Sequence, residues 1–161
     1  MKGSDRFTRV HFAGVAIGFV VFPATEVIAH GVIRHEHGRK FPLGEPSGRT
    51  TPRIERLAAL FAAGGLDAPI RDDIRDEIWL KLWGNLCLNP ISALTHATVD
   101  VVATDPGTAA VCRAMMTEAA AIAERIGVRL RVDMARRLEG AAALGPHKMS
   151  MLQDLERGRS M

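Results

Sequence analysis

The spacing of apolar positions changes character near residue 50. Before it, apolar residues come in short β-branched and aromatic runs, which predict strands. Val15 to Phe22 is the first, Val27 to His35 follows a Pro/Thr break, and Lys40 to Leu43 is a short third. Gly44 to Thr50 carries the turn residues of a loop. These strands have few apolar partners of their own and read as the edge of a larger sheet. Beyond the loop the period becomes helical. Thr51 is placed to cap a helix with Pro52 in its first turn, and Ile54, Leu57, Ala58, Leu60 and Phe61 form an apolar stripe up to Gly64-Gly65. A second helix is predicted from residue 71 to about residue 88. Asp72, Asp73 and Asp76 sit in its first turns, where negative charge favours the helix dipole, and Ile74, Ile78, Leu82 and Leu86 recur every four positions. Pro90 has no N–H to donate and is expected to end or kink it. Asp105-Pro106 opens a third helix running to Ile126, closed by Gly127. A fourth spans Val132 to Leu144 before Gly145-Pro146, and Ser150 is placed to cap a fifth that reaches Arg157. There is no internal repeat and no low-complexity tract.

One segment breaks the pattern. Lys81, Asn85 and Asn89 are spaced four and four, and at about 100° per residue each step drifts by only about 40°, so the three share one strip of a helix. The residues between them are mostly apolar: Leu82, Trp83, Leu86, Cys87 and Leu88. Buried polar groups cost free energy unless paired, so such a strip needs partners inside the fold or on a ligand. By spacing alone two readings stand. In one, Lys81 reaches solvent and the asparagines bond to backbone elsewhere. In the other, an ammonium and two carboxamides line a cleft for a small oxygen-rich substrate, with the lysine protonating an oxygen that gains negative charge.

Composition narrows the class. At 161 residues the chain holds one domain with a real core, and its 47% apolar and 24% charged residues are those of a soluble globular protein. Aromatic residues are scarce at 5%, with no tyrosine, so small and aliphatic side chains must fill the core. The net charge of +3 is scattered, with acidic residues beside Arg136-Arg137 and Arg157/Arg159, which argues against nucleic acid as a partner. Cys87 and Cys112 read as reduced core thiols. The apolar run from Phe12 to Ala29 is interrupted by Pro23 and Glu26, so no membrane span is expected, and the chain is read as cytoplasmic. His35 and His37, with Glu36 and His30, are weak metal candidates, and no metal is expected. Trp79 and Trp83 read as core or interface residues, and Met149 and Met151 as packing against the helical core.

The segment from Glu77 to Thr95, with its Lys81-Leu-Trp-Gly-Asn85-Leu-Cys-Leu-Asn89-Pro90, resembles the signature of the ketopantoate reductase family. So does the closing His147 to Met161, and Gly31 to His35 and Leu43 to Pro46 resemble the family's last nucleotide-domain strands. The resemblance covers nearly the whole chain from about residue 14. It implies a mainly α fold: a helical C-terminal domain of the 6-phosphogluconate dehydrogenase-like type, preceded by two or three residual β-strands of a Rossmann domain. Residues 1–50 are then the remnant of the nucleotide-binding domain, and 51–161 a helical substrate-binding and dimerisation domain, truncated at its C-terminus. The implied activity is NADPH-dependent reduction of 2-dehydropantoate to pantoate. Lys81 falls at the family's proton-donating lysine, Asn85 and Asn89 at its substrate-contacting asparagines, and Ser150 at the serine that holds the substrate carboxylate. A small 2-keto acid and a second copy of the chain, meeting it through the helical surface, are the implied partners.

Three departures qualify what the resemblance implies. The chain contains no Gly-x-Gly-x-x-Gly loop to cradle a pyrophosphate. The position of the family's active-site glutamate comes directly after Met161. Val99 stands where some members carry a further asparagine. The expectation is therefore an NADP-linked reductase portion with no tightly bound cofactor and no turnover alone. The alternative is a non-catalytic helical module for dimerisation or protein binding, derived from that family.

Overall fold

The computed structural model describes residues 16–160, which form two compact units, one up to Ile78 and the other from Trp79 onward. Helices predominate, and the strands are short. In order these are β1 (Gly18–Phe19), β2 (Ala24–Ala29), β3 (Val32–His37), β4 (Leu43–Gly44), α1 (Pro52–Ala63), α2 (Ile74–Thr95), α3 (Val99–Thr104), α4 (Pro106–Arg125), α5 (Met134–Ala142) and α6 (Ser150–Glu156).

In the first unit β1 pairs antiparallel with β4, setting Gly18 opposite Gly44. Both glycines are there for space: a Cβ on Gly44 would collide with the Arg71 carbonyl, and one on Gly18 would stand 2.5 Å from the Ile74 side chain. β2 and β3 form a separate hairpin. The single strand expected over Val27 to His35 is thus two strands. The chain reverses at His30-Gly31, where Gly31 adopts φ +74°, a region that costs a glycine little. Apolar residues on both sides of that turn hide it in the sequence. Val15, at the head of the first expected strand, lies outside the described residues, and only Gly18–Phe19 of that run is strand. Phe19, Phe41 and Phe61 meet with ring centroids 5.1–5.9 Å apart, giving the unit an aromatic cluster. Thr51 caps α1 as expected, its hydroxyl accepting from Ile54 N–H. Only Ile54 of the expected stripe is fully buried, and Leu60 is 70% exposed.

The second unit is all helix. Its core gathers Trp83, Cys87 and Leu88 of α2, Val99 and Val102 of α3, Cys112, Met116 and Ala119 of α4, and Leu138 and Ala141 of α5. The face of α2 that enters this core is not the one expected from Ile74, Ile78, Leu82 and Leu86. Ile78 and Leu82 are exposed. Counting apolar residues alone cannot separate the two faces here, because α2 is apolar nearly all round. Nor does Pro90 stop the helix, which runs on to Thr95 with the Leu86 carbonyl left without an N–H at the proline. The helix ends instead at His96, in the left-handed region at φ 56°. There Ser92 Oγ donates to the Ala97 carbonyl at 2.6 Å and Thr95 Oγ1 to that of Ile91 at 2.7 Å. Sequence reading missed α3, a six-residue helix too short to show a period. Asp105 caps α4 and Asp133 caps α5 through their carboxylates. Ser150 does not cap α6: it is the first helical residue, behind Met149, which makes no side-chain cap bond. No described helix is long and apolar enough to cross a membrane.

Glu45 is a buried charge of the first unit. Its side chain is 4% exposed, and it accepts from Arg53 Nε at 2.7 Å and from Thr51 Oγ1 at 2.5 Å. The Arg53 hydrogen bond, then that of Thr51, hold its carboxyl at about 2. A carboxylate depressed on folding adds stability that is complete above its unfolded value of about 4.3 and is lost as pH falls through the folded value. We therefore predict that Glu45→Gln lowers the melting temperature at pH 7 and flattens the fall of melting temperature between about pH 4 and pH 2. Thermal unfolding followed across that range checks it, and two parallel acid limbs would refute it.

Candidate functional site

The site is built on the middle of α2, and the core decides which way that helix faces. Trp83 Nε1 donates to the Met116 carbonyl of α4 at 2.7 Å, fully buried. One turn later the Cys87 thiol lies against Cys112 and donates to the Gly84 carbonyl at 3.3 Å. The Cys112 hydrogen bond and burial push the Cys87 thiol up, so it stays protonated. Trp83 is about 200° and Cys87 about 240° round the helix from Lys81. With that side fixed inward, Lys81, Asn85 and Asn89 fall along the opposite side, each half-buried.

The strip is not electrostatically neutral ground. Burial, and then the charge of Arg137 on α5, lower the Lys81 ammonium below the ordinary lysine value. Arg137 is itself lowered by burial. Its guanidinium lies against Gly84, where a Cβ would stand 2.8 Å from Cζ and 3.0 Å from Nε. At the far end of the strip, Asn89 Oδ1 is buried with no hydrogen-bond partner. A half-buried lysine lowered toward the working range is the state a proton donor needs. An acceptor buried without a partner is the sort of group a ligand can satisfy.

Lys81, Asn85 and Asn89 share one side of α2, and Ser150 lies on α6. It is exposed at the first turn of α6, whose approach is tied to α3 by the Val99 N–H donating to the His147 carbonyl at 2.9 Å. No hydrogen bond links Ser150 to the strip among the described residues. A cavity of about 480 Å³ beside α3, α4 and α5 is lined by Thr104, Arg113, Asp133 and Leu138 among others, and by none of the four expected site residues. His35 Nε2 is engaged with the Gly38 carbonyl at 2.6 Å, and no cluster of three metal-ligating side chains occurs among the described residues. Sequence reading missed Arg137, which it saw only as part of a basic pair. The one available signal was Gly84, a glycine inside an otherwise unbroken helix, which marks a close approach.

The described residues thus form a mixed first unit followed by a helical unit whose leading helix carries the polar strip. The sequence over residues 73–161 matches the family model described as the C-terminal part of ketopantoate reductase PanE/ApbA, and the chain belongs to that family. It is 57% identical to a 2-dehydropantoate 2-reductase of Mesorhizobium japonicum over 90% of its own length, which is 44% of the relative's. It superposes on the crystal structure of 2-dehydropantoate 2-reductase from Geobacter metallireducens with a TM-score of 0.86 at 30% identity, covering 98% of this chain and 53% of that one. A dimeric ketopantoate reductase from Staphylococcus aureus shares the fold at a TM-score of 0.72 and 19% identity, with 90% of this chain and 49% of that one covered. The chain thus spans about half the length of the relatives it matches.

The unpartnered Asn89 oxygen yields a prediction about stability. Replacing a buried acceptor that has no donor by an apolar group of similar size is neutral or stabilising, whereas breaking a satisfied hydrogen bond costs about 1–3 kcal/mol. Asn89→Leu should therefore leave the urea midpoint, read by tryptophan fluorescence, unchanged or raised. A clear drop would mean that Oδ1 has a donor in solution.

Proposed function

We propose that this chain is the substrate-binding part of an NADP-linked reductase of a small 2-keto acid, 2-dehydropantoate by family. The observation that carries the reading is the half-buried Lys81–Asn85–Asn89 strip with its unpartnered Asn89 oxygen, in a chain of this family. Membership supports the reaction type more than it supports any particular side chain on the acid reduced. Residues 1–50 are read as the trailing edge of the nucleotide-binding domain and 51–161 as the domain that binds substrate.

NADPH, when bound, supplies a hydride to the C2 carbon of the acid. No residue of this chain is assigned to hold it, since the sequence has no Gly-x-Gly-x-x-Gly loop. What the chain's own residues do concerns the oxygen. As C2 becomes tetrahedral its oxygen gains negative charge, and the Lys81 ammonium donates a hydrogen bond and then the proton. Desolvation of Lys81 makes that transfer easier, because the ammonium is a stronger acid than in water. Asn85 and Asn89 offer carboxamide donors and acceptors that orient the carbonyl and hydroxyl groups. Ser150 offers a hydroxyl, unspent on helix capping, to the carboxylate. Self-association through the helical surface follows from its exposed apolar side chains, Leu94 at 80% and Ile122 at 53% exposure among them.

Two outcomes test the assignment. The 161-residue chain alone should show no ketopantoate reduction; stoichiometric NADPH binding with turnover by it would falsify the division of labour. Joined behind the nucleotide-binding half of the Mesorhizobium japonicum relative, and followed by that relative's residues beyond the matched segment, the chain should turn over. Lys81→Ala should then lower kcat about 10²- to 10⁴-fold with the NADPH dissociation constant unchanged. Retained turnover would remove Lys81 as the acid.

A further inference from the structure

We propose that Arg137 is a positioning residue for Lys81: laid across Gly84 on α2, its guanidinium confines the ammonium to the side of the helix that carries Asn85 and Asn89. The proposal rests on the reading of Lys81 as proton donor. Three observations on the chain carry it.

The first is placement. Gly84 lies about 60° round α2 on one side of Lys81, whereas Asn85 and Asn89 lie about 40° and 80° round on the other. Arg137 packs on Gly84, where a Cβ would meet its guanidinium. Lys81 is thus flanked by a fixed cation on one side and by neutral carboxamides on the other. Two like charges repel, and the repulsion is strongest where water is partly excluded. Of the two, lysine carries its charge on a flexible stem, while the arginine is a planar group packed against Gly84.

The second is fixation. Arg137 Nε is buried with no hydrogen-bond partner. An arginine on a surface would turn that N–H to solvent. Here the side chain is held by packing, as a positioning group must be. Its helix is anchored at both ends of the contact, by Asp133 accepting from Ala135 N–H at 2.8 Å and by Leu138 and Ala141 in the core.

The third is electrostatic and supports the other two. The Arg137 charge is felt at Lys81 in the same direction as burial. The other titratable group that Arg137 feels is Cys87, which the Cys112 hydrogen bond and burial keep as a neutral thiol.

The test reads Lys81 directly and needs neither substrate nor cofactor. The chain has four lysines, so their labelled ε-carbons can be resolved and titrated one by one. In the unaltered chain the Lys81 midpoint should lie below the ordinary value of about 10.4. Arg137→Met should move it up, and Arg137→Lys, which keeps the charge, should hold it near its starting place. Gly84→Ala, which leaves Arg137 in the sequence but puts a methyl where its guanidinium packs, should also move it up. That variant decides the matter if Arg137→Met does not fold. No movement in either variant, or an equal rise in Arg137→Lys, would overturn the proposal. In the joined reductase the sign follows: an acid active while protonated loses activity as pH rises through its midpoint, so the basic limb of kcat/KM moves to higher pH in Arg137→Met and returns in Arg137→Lys. If the lysine titration shifts while Lys81→Ala still turns over, the catalytic reading of Lys81 fails and the Arg137 contact stands.

Discussion

The rotation of α2 about its own axis is the constraint on which the second unit depends. A helix apolar nearly all round has no strong preference of its own for one face, so something directional must choose. The Trp83 indole does so, because its N–H has one buried acceptor, the Met116 carbonyl, at 2.7 Å. A wrong rotation would bury that donor unpaired, at about 1–3 kcal/mol. The Cys87–Cys112 contact one turn on reinforces the choice with small side chains that let α2 and α4 approach closely. Once Trp83 and Cys87 point inward, Lys81, Asn85 and Asn89 have no freedom left: they must line the other side.

That outer side carries the unit's unsettled energies. Lys81 and Arg137 are like charges, both partly desolvated, and Asn89 holds a buried oxygen without a donor. None of these helps folding. Natural chains sit a little above the stability they need, and groups kept at a cost tend to be those with work to do. The core beneath is well ordered by comparison: helices capped by Asp105 and Asp133, and α4 closed at Gly127 with Val128 N–H returned to the Ala123 carbonyl at 2.9 Å. A capped, hydrogen-bonded core thus lies beneath an outer side that carries desolvated charge and an unpartnered acceptor.

How much of this was legible in the sequence follows from which interactions are local. The cap at Thr51, the Asp105-Pro106 start and the stop at Gly127 depend on neighbours within four residues, and α1 and α4 came close to their observed bounds for that reason. α5 starts two residues later than expected, because Asp133 caps it from outside the helix. The strip itself was legible because helical geometry turns a spacing of four into adjacency. What failed was what tertiary contact decides. Pro90 is carried through α2 because packing of the turns on either side outweighs one missing bond. The hairpin at Gly31 was hidden by apolar residues continuing across it. The inward face of α2 was misjudged because Trp83's partner lies thirty-three residues away. Arg137 could not be placed at all, since its contact with Gly84 joins two helices.

Gly84 shows why these failures gather at the site. In a helix interior a glycine costs roughly 1 kcal/mol against alanine, so local propensity argues against it. An alanine would restore that stability, yet its methyl would stand where the Arg137 guanidinium lies. Local preference and long-range placement therefore oppose each other at one position, three residues after the proton-donor candidate. A helix selected only for stability would resolve the conflict in favour of alanine. The glycine at this position leaves room for the Arg137 guanidinium, at a cost small enough for the Trp83 and Cys87 contacts below it to bear.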